Sequence, residues 1–411
     1  MMHLNHKTTL LFAAASLLIC TECSKNNDLP TEPVKINLDA TQTALVGSGN
    51  SFAFDIFRKV LENSESTVNV MISPLSISYA LSMTLNGANG ATRDSMLKAL
   101  RVSGLTPDEI NSSYKELTDA LLSVDKRVAM SIANSVWTEN DFAVKKTFID
   151  ILTYYYDAES KQFDINDSSL PTKINNWISD KTNGLIKNMI DKLDNNTVML
   201  LINAIYFKGK WKSEFNKDNT VTTSFYKPVG TSSVSMMKQK SDFKVYKGND
   251  FTLGEFPYGQ GNFVMDIILP DAQDGVTALL PSVTNTSFSS WLDNLSAQEV
   301  NLSLPRFKYG FKMELSDVLT DMGMGIAFTD AADLTNIADA RLKINMVLHQ
   351  SFIETNEEGT EAAAATVVGI VATAVHEPFE FNADHSFLYI IRETTTNTIL
   401  FMGKVADPSA S

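Results

Sequence analysis

Residues 357–375 read Glu357-Glu-Gly-Thr-Glu-Ala-Ala-Ala-Ala-Thr-Val-Val-Gly-Ile-Val-Ala-Thr-Ala-Val375. After Glu361 only small or β-branched side chains follow. Laid out as a strand, Thr360, Ala362, Ala364, Thr366, Val368 and Ile370 share one uncharged face. Glu361, Ala363, Ala365, Val367, Gly369 and Val371 make the other. One face suits burial in a sheet, yet alanine and glycine are poor strand formers. The segment can be a strand but does not drive one.

The chain has 411 residues, 44% of them hydrophobic and 20% charged, so a large core is available to it. The net charge of −14 argues against nucleic acid, heparin-type polyanions and anionic membrane as partners. The apolar run Leu10–Ile19, preceded by His3, His6 and Lys7, is too short for a stable membrane span and suits a signal-peptide core. The two cysteines, Cys20 and Cys23, both lie at its end. The mature chain is therefore expected to have no disulfide. Cysteine at this position resembles a bacterial lipoprotein site, with Cys23 the expected lipidated residue and Cys20 the alternative. Glu22 and Ile19 depart from that pattern. The organisation read from this is a signal over 1–23, a polar linker with Pro30 and Pro33 over 24–45, and one domain over 46–408.

Along the domain, helical spacing covers Ser51–Leu61, and Ser73-Pro74 reads as the capped start of another helix. Thr92–Leu100, Pro107–Leu122, Lys145–Tyr155, Leu170–Thr182 and Glu314–Met322 are further helices. Val128–Trp137 and Val300–Pro305 are strand-like. Val198–Phe207 is almost continuously apolar and predicts a strand covered on both faces in mid-sheet, with Asn203 needing hydrogen-bond partners. Leu342–Thr355, Phe387–Ile391 and Ile399–Val405 are later strands. Helices come early, strands late, without βαβ alternation, which indicates α+β.

At this point the chain resembles the serpin family, from about residue 46 onward. The motifs that carry the resemblance run in order. They are Asn69…Ser73-Pro74…Ser76-Ile77, Asn203-Ala-Ile-Tyr-Phe-Lys-Gly-Lys-Trp211, Leu304-Pro305-Arg306-Phe307, Ala332-Asp333-Leu334, the hinge Glu357–Thr366, Phe381-Asn-Ala-Asp-His-Ser-Phe387 and Phe401-Met-Gly-Lys404. Ser386 stands where the family has proline. The resemblance implies three β-sheets with a large central one, eight to nine helices and an exposed reactive-centre loop.

It also implies a mechanism. The loop is bait, a protease cuts it and is held as an acyl-enzyme, and the loop then enters the large sheet as a new strand, a known form of strand addition in that family. Roughly a dozen new ladder bonds at about 1 kcal/mol each, with buried side chains, give a drive on the order of 10 kcal/mol. The uncut state is then a kinetic trap. Carried onto this sequence, the hinge is Glu357, Gly359, Thr360, Glu361, Ala362, Ala363, Ala364, Ala365 and Thr366. The family's spacing from Gly359 places the cleaved bond at Thr373-Ala374, with Ala372-Thr373 and Ala374-Val375 as neighbouring alternatives. Ser73, Ser76, Asn203 and His349 match the polar "shutter" beneath the sheet; a satisfied core histidine is an equally good reading of His349. Arg306, Glu357 and Trp211 match the "breach" where the loop enters, with Arg306–Glu357 read as a surface ion pair of little worth.

No Lys or Arg lies between Gly359 and Ile391, which disfavours trypsin-like proteases. Val371, Ala372 and Thr373 suit a narrow pocket, so elastase-like serine proteases are the expected targets. A non-inhibitory carrier, chaperone or storage member is the runner-up, and a cysteine-protease target stays open. An enzyme is not expected. No Gly-x-Ser-x-Gly or His-Glu-x-x-His motif is present, and His376 and His385 lack metal spacing. A monomer without cofactor or metal is implied. Its expected place is across the inner membrane, lipid-anchored at the cell envelope, or otherwise extracellular or periplasmic.

Overall fold

The structure, a computed structural model, describes residues 32–359 and 377–410, within a compact unit spanning Glu32–Ser411. The first half is mainly helical: α1 (Ala40–Glu62), β1 (Val70–Ile72), α2 (Pro74–Leu85), α3 (Gly90–Ala99), α4 (Pro107–Ser123), β2 (Val128–Glu139), α5 (Lys146–Tyr156), β3 (Glu159–Phe163) and α6 (Leu170–Lys181). Strands dominate thereafter: β4 (Met199–Gly209), β5 (Val221–Tyr226), β6 (Thr231–Lys247), β7 (Phe251–Tyr258), β8 (Phe263–Pro270), then α7 (Val276–Leu279) and α8 (Asn285–Asp293). The chain closes with β9 (Ser296–Pro305), β10 (Phe307–Glu314), α9 (Ser316–Leu319), β11 (Leu348–Thr355), β12 (Phe379–Asn382), β13 (Phe387–Glu393) and β14 (Ile399–Val405). Among the described residues this makes three sheets and nine α-helices, an α+β fold as expected.

The nine-stranded sheet runs β1-β14-β13-β8-β7-β6-β9-β12, with β5 beside β6. Its strands β8, β13 and β14 are buried at every position. Such strands hold the middle of a sheet because both faces are covered. The other two sheets are smaller. In one, β2 pairs antiparallel with β4 and parallel with β3; in the other, β10 pairs antiparallel with β11. Helix α2 lies buried between these layers. Its N-cap is Ser73, whose side chain accepts from Ser76 N, and Pro74 fills the first helical position, where no amide is needed.

Four expectations need correction. The linker does not run to residue 45, because α1 starts at Ala40. A capping box starts it: Gln42 N donates to Asp39 Oδ1 at 2.8 Å, and Asp39 N to Gln42 Oε1 at 2.9 Å. The strand expected from Leu342 begins only at Leu348, since residues 342–347 meet no partner strand among the described residues. The helix expected over Glu314–Met322 begins only at Ser316, because Glu314 still belongs to β10; its α turn passes into a π turn, Thr320–Met324, kinked at Gly323 with φ 99°. Finally, β4 is not enclosed by ladders on both edges. Among the described residues it pairs with β2 alone.

Candidate functional site

The site is the interval between β4 and β11, the facing edges of the three- and two-stranded sheets; a strand there would join these two into one larger sheet, and the nine-stranded sheet contains neither edge. Beyond its C-terminal end, β4 meets the end of β11. Trp211 N donates to Glu358 O at 3.1 Å, Phe215 N to Glu357 O at 2.9 Å, and Trp211 Nε1 to Asn356 O at 2.9 Å. The N-terminal parts of the two strands, Met199–Asn203 and Leu348–Gln350, line one cavity of about 590 Å³. The strands therefore rise together, parallel and toward the same end. Among the described residues no ladder joins them. A strand entering the interval from the Gly359 end would run antiparallel to both.

That end is held by charge and shape. Arg306 donates to Glu357 Oε1 from Nε at 2.8 Å and Nη2 at 2.5 Å, and Thr220 Oγ1 donates to the same oxygen. The Glu357 side chain is only 2% exposed against 45% for Arg306, so the pair is not the surface ion pair the sequence indicates. Burial opposes ionisation of Glu357, and the hydrogen bonds from Arg306 and Thr220 outweigh it, leaving its carboxyl below the ordinary value. The Trp211 ring stacks on Tyr258, with centroids 4.4 Å apart and planes 10° apart. Gly359 has φ 120°, and a Cβ there would stand 2.3 Å from Gly209 O. Only glycine fits so close to the end of β4.

Beneath the interval a polar network ties α2 to both strands. Ser73 N donates to His349 Nε2 at 3.1 Å, and Ser73 Oγ to Leu400 O at 2.8 Å. Ser76 Oγ donates to Asn203 Oδ1, and Asn203 Nδ2 to Asn134 Oδ1 at 2.6 Å. His349 accepts at Nε2 and must be neutral there; burial pulls its pKa down to about 4. Each partner satisfies another, as polar groups in an apolar layer require.

Ser73, Ser76, Asn203 and His349 thus form one cluster, and Arg306, Glu357 and Trp211 another. The remaining hinge residues Thr360–Thr366, the bond Thr373-Ala374, Val371, Ala372, Cys20 and Cys23 lie outside the described residues. Sequence reasoning missed Asn134, Thr220 and Lys217, which pairs with Glu358. Asn134 carried a signal, an amide within an apolar strand, and its partner follows from the register Asn134↔Asn203. Among the described residues no cluster of three or more His, Cys, Asp or Glu could hold a metal.

A family model described as serpin (serine protease inhibitor) matches residues 48–408. The chain belongs to the serpin family. An uncharacterized serpin-like protein of Thermococcus kodakarensis is 33% identical over 390 residues, covering 92% of this chain and 89% of the relative. The native-state crystal structure of the thermophilic serpin tengpin superposes with a TM-score of 0.81 at 30% identity, covering 92% of this serpin and 97% of tengpin. Human thyroxine-binding globulin, crystallised with thyroxine, gives a TM-score of 0.83 at 26% identity, covering 90% of this serpin and 100% of the globulin. The family is one of protease inhibitors in general, and its fold is the one described above.

Proposed function

We propose that this serpin inhibits a protease by offering residues 360–376 as bait. The reading is supported above all by the interval between β4 and β11, two parallel edges with no ladder between them among the described residues. In strand form the 12 residues Thr360–Val371 would come within one residue of the length of β4, which has 11. Cleavage at Thr373-Ala374 frees the hinge to enter. The acylated protease travels with it, and its active site is distorted before water can release it. Val371, Ala372 and Thr373 select an elastase-like serine protease, because a narrow pocket accepts them and no cation is offered. The pair Arg306–Glu357 acts as a gate at the entry, and the cluster around His349 governs how readily the strands part. The mature chain works as an exported monomer, lipid-anchored through Cys23 at the cell envelope.

The test is to mix mature protein with pancreatic elastase and separate the products in SDS. A covalent complex, with a released peptide beginning at Ala374, is expected. Complete cleavage without complex would overturn inhibition in favour of a carrier, the role suggested by the relative crystallised with thyroxine.

A further inference from the structure

The cavity between β4 and β11 has a roof. Its floor is α2, through Ser76, Ile77 and Ala80, and its walls are β4 and residues 342–350. The roof is the strap that joins α6 to β4, through Met189, Ile190, Lys192 and Leu193. The strap is fastened on both sides of the interval. On the α6 side, Ile190 N donates to Asn175 Oδ1 at 2.9 Å and Asn175 Nδ2 donates to Ile190 O at 2.7 Å. Ile186, Ile190 and Leu193 are buried there against Trp177, Ile202 and Ala204. On the far side, Lys312 of β10 donates to Asp191 Oδ2 at 2.7 Å and to Asn188 O at 3.3 Å, while Gln350 of β11 reaches Lys187 O at 3.4 Å.

The two fastenings differ in kind. The α6 side is buried apolar contact with a two-point amide bond. The far side is polar, with side chains 35% exposed at Lys312 and 77% at Asp191. A strand filling the interval has side chains on its outer face, and these must fit where the strap now sits. It also separates β4 from β11 by a further strand width, about 4.8 Å. A contact of 2.7 Å does not survive that separation while the α6 side stays in place.

We infer that the strap is a latch whose releasable end is Lys312–Asp191, and that opening it helps set the rate at which a strand enters between β4 and β11. The inference rests on the proposed function, since it presumes that insertion occurs. An exposed pair is weak and salt-sensitive, so the latch slows entry without forbidding it.

The experiment cuts the bait loop of the mature protein with elastase. It then follows the gain in thermal stability and the tryptophan fluorescence with time. Wild type, Lys312→Met, Asp191→Asn and the charge-swapped double variant Lys312→Asp with Asp191→Lys are compared. Circular dichroism of the uncut proteins checks that each is folded. The single variants should convert about 3- to 5-fold faster than wild type. The swapped variant should return toward the wild-type rate. Raising salt from about 0.05 to about 0.5 M should accelerate wild type and leave the single variants unmoved. Equal or slower conversion in the single variants, or a salt-independent wild type, overturns the latch while leaving insertion intact. A wild type that gains no stability after cleavage overturns the proposed function, and the latch with it.

Discussion

Arg306 holds the buried carboxylate of Glu357 through two hydrogen bonds to one oxygen, at 2.8 and 2.5 Å, just beyond the C-terminal end of β11. Arg306→Met should leave that carboxylate buried with Thr220 as its remaining side-chain donor. The expected cost is about 1–3 kcal/mol, read as earlier denaturant unfolding of the uncut protein. The pH sign follows from the lowered pKa of Glu357. Its stabilisation is present above the ordinary glutamate value and is lost as pH falls through the lower folded value. The variant should therefore show a flatter acid limb than wild type.

His349 gives an acid sensitivity of the same sign, at a higher pH. Its pKa falls from 6.5 to about 4 because the site is dry. The folded state then binds fewer protons than the unfolded between those values, so stability declines as pH drops from 6.5 to 4 and levels off below. The penalty is at most about 3 kcal/mol. Unfolding midpoints measured from pH 7 to pH 4 should fall more in wild type than in His349→Gln. Parallel curves would show that His349 is not the titrating group.

Gly359→Ala places a methyl 2.3 Å from Gly209 O and 2.6 Å from Lys210 Cα, at a φ that alanine disfavours. Backbone lies on the far side, so relief requires the loop base to move. We expect a loss of about 2–4 kcal/mol and raised hydrogen exchange at Asn356–Gly359.

Thr360→Arg puts a long charged side chain on the face proposed to enter the sheet. Insertion slows relative to deacylation, and the inhibitor becomes a substrate. The gel should show cleaved chain with no covalent complex. Undiminished trapping would remove Thr360 from the inserting face.

The sequence was most readable where local chemistry decides the structure. Ser73-Pro74 announces a helix start because the cap and the missing amide act within a single turn. The apolar runs at β13 and β14 announce strands because burial on both faces leaves little alternation. Where partners come from far along the chain, the reading failed. Residues 342–347 alternate like a strand, but no ladder forms without a neighbouring edge. Glu357 looks like a surface acid because nothing local shows that Phe215, Thr220 and Arg306 close over it. Asn134 passed unnoticed because its role arises from its register with Asn203. The two polar clusters were found through the resemblance to a family; spacing alone would have left His349 an ordinary core histidine.

We propose that the interval between β4 and β11 receives a strand from residues 360–371. Hydrogen–deuterium exchange of these two strands, before and after a single cut in the loop, tests it most directly. Amides of Met199–Gly209 and Leu348–Thr355 that face the interval should become strongly protected after the cut, as new ladder bonds form. Unchanged exchange in both strands, with the loop shown by mass to be fully cleaved, would rule out insertion at this interval.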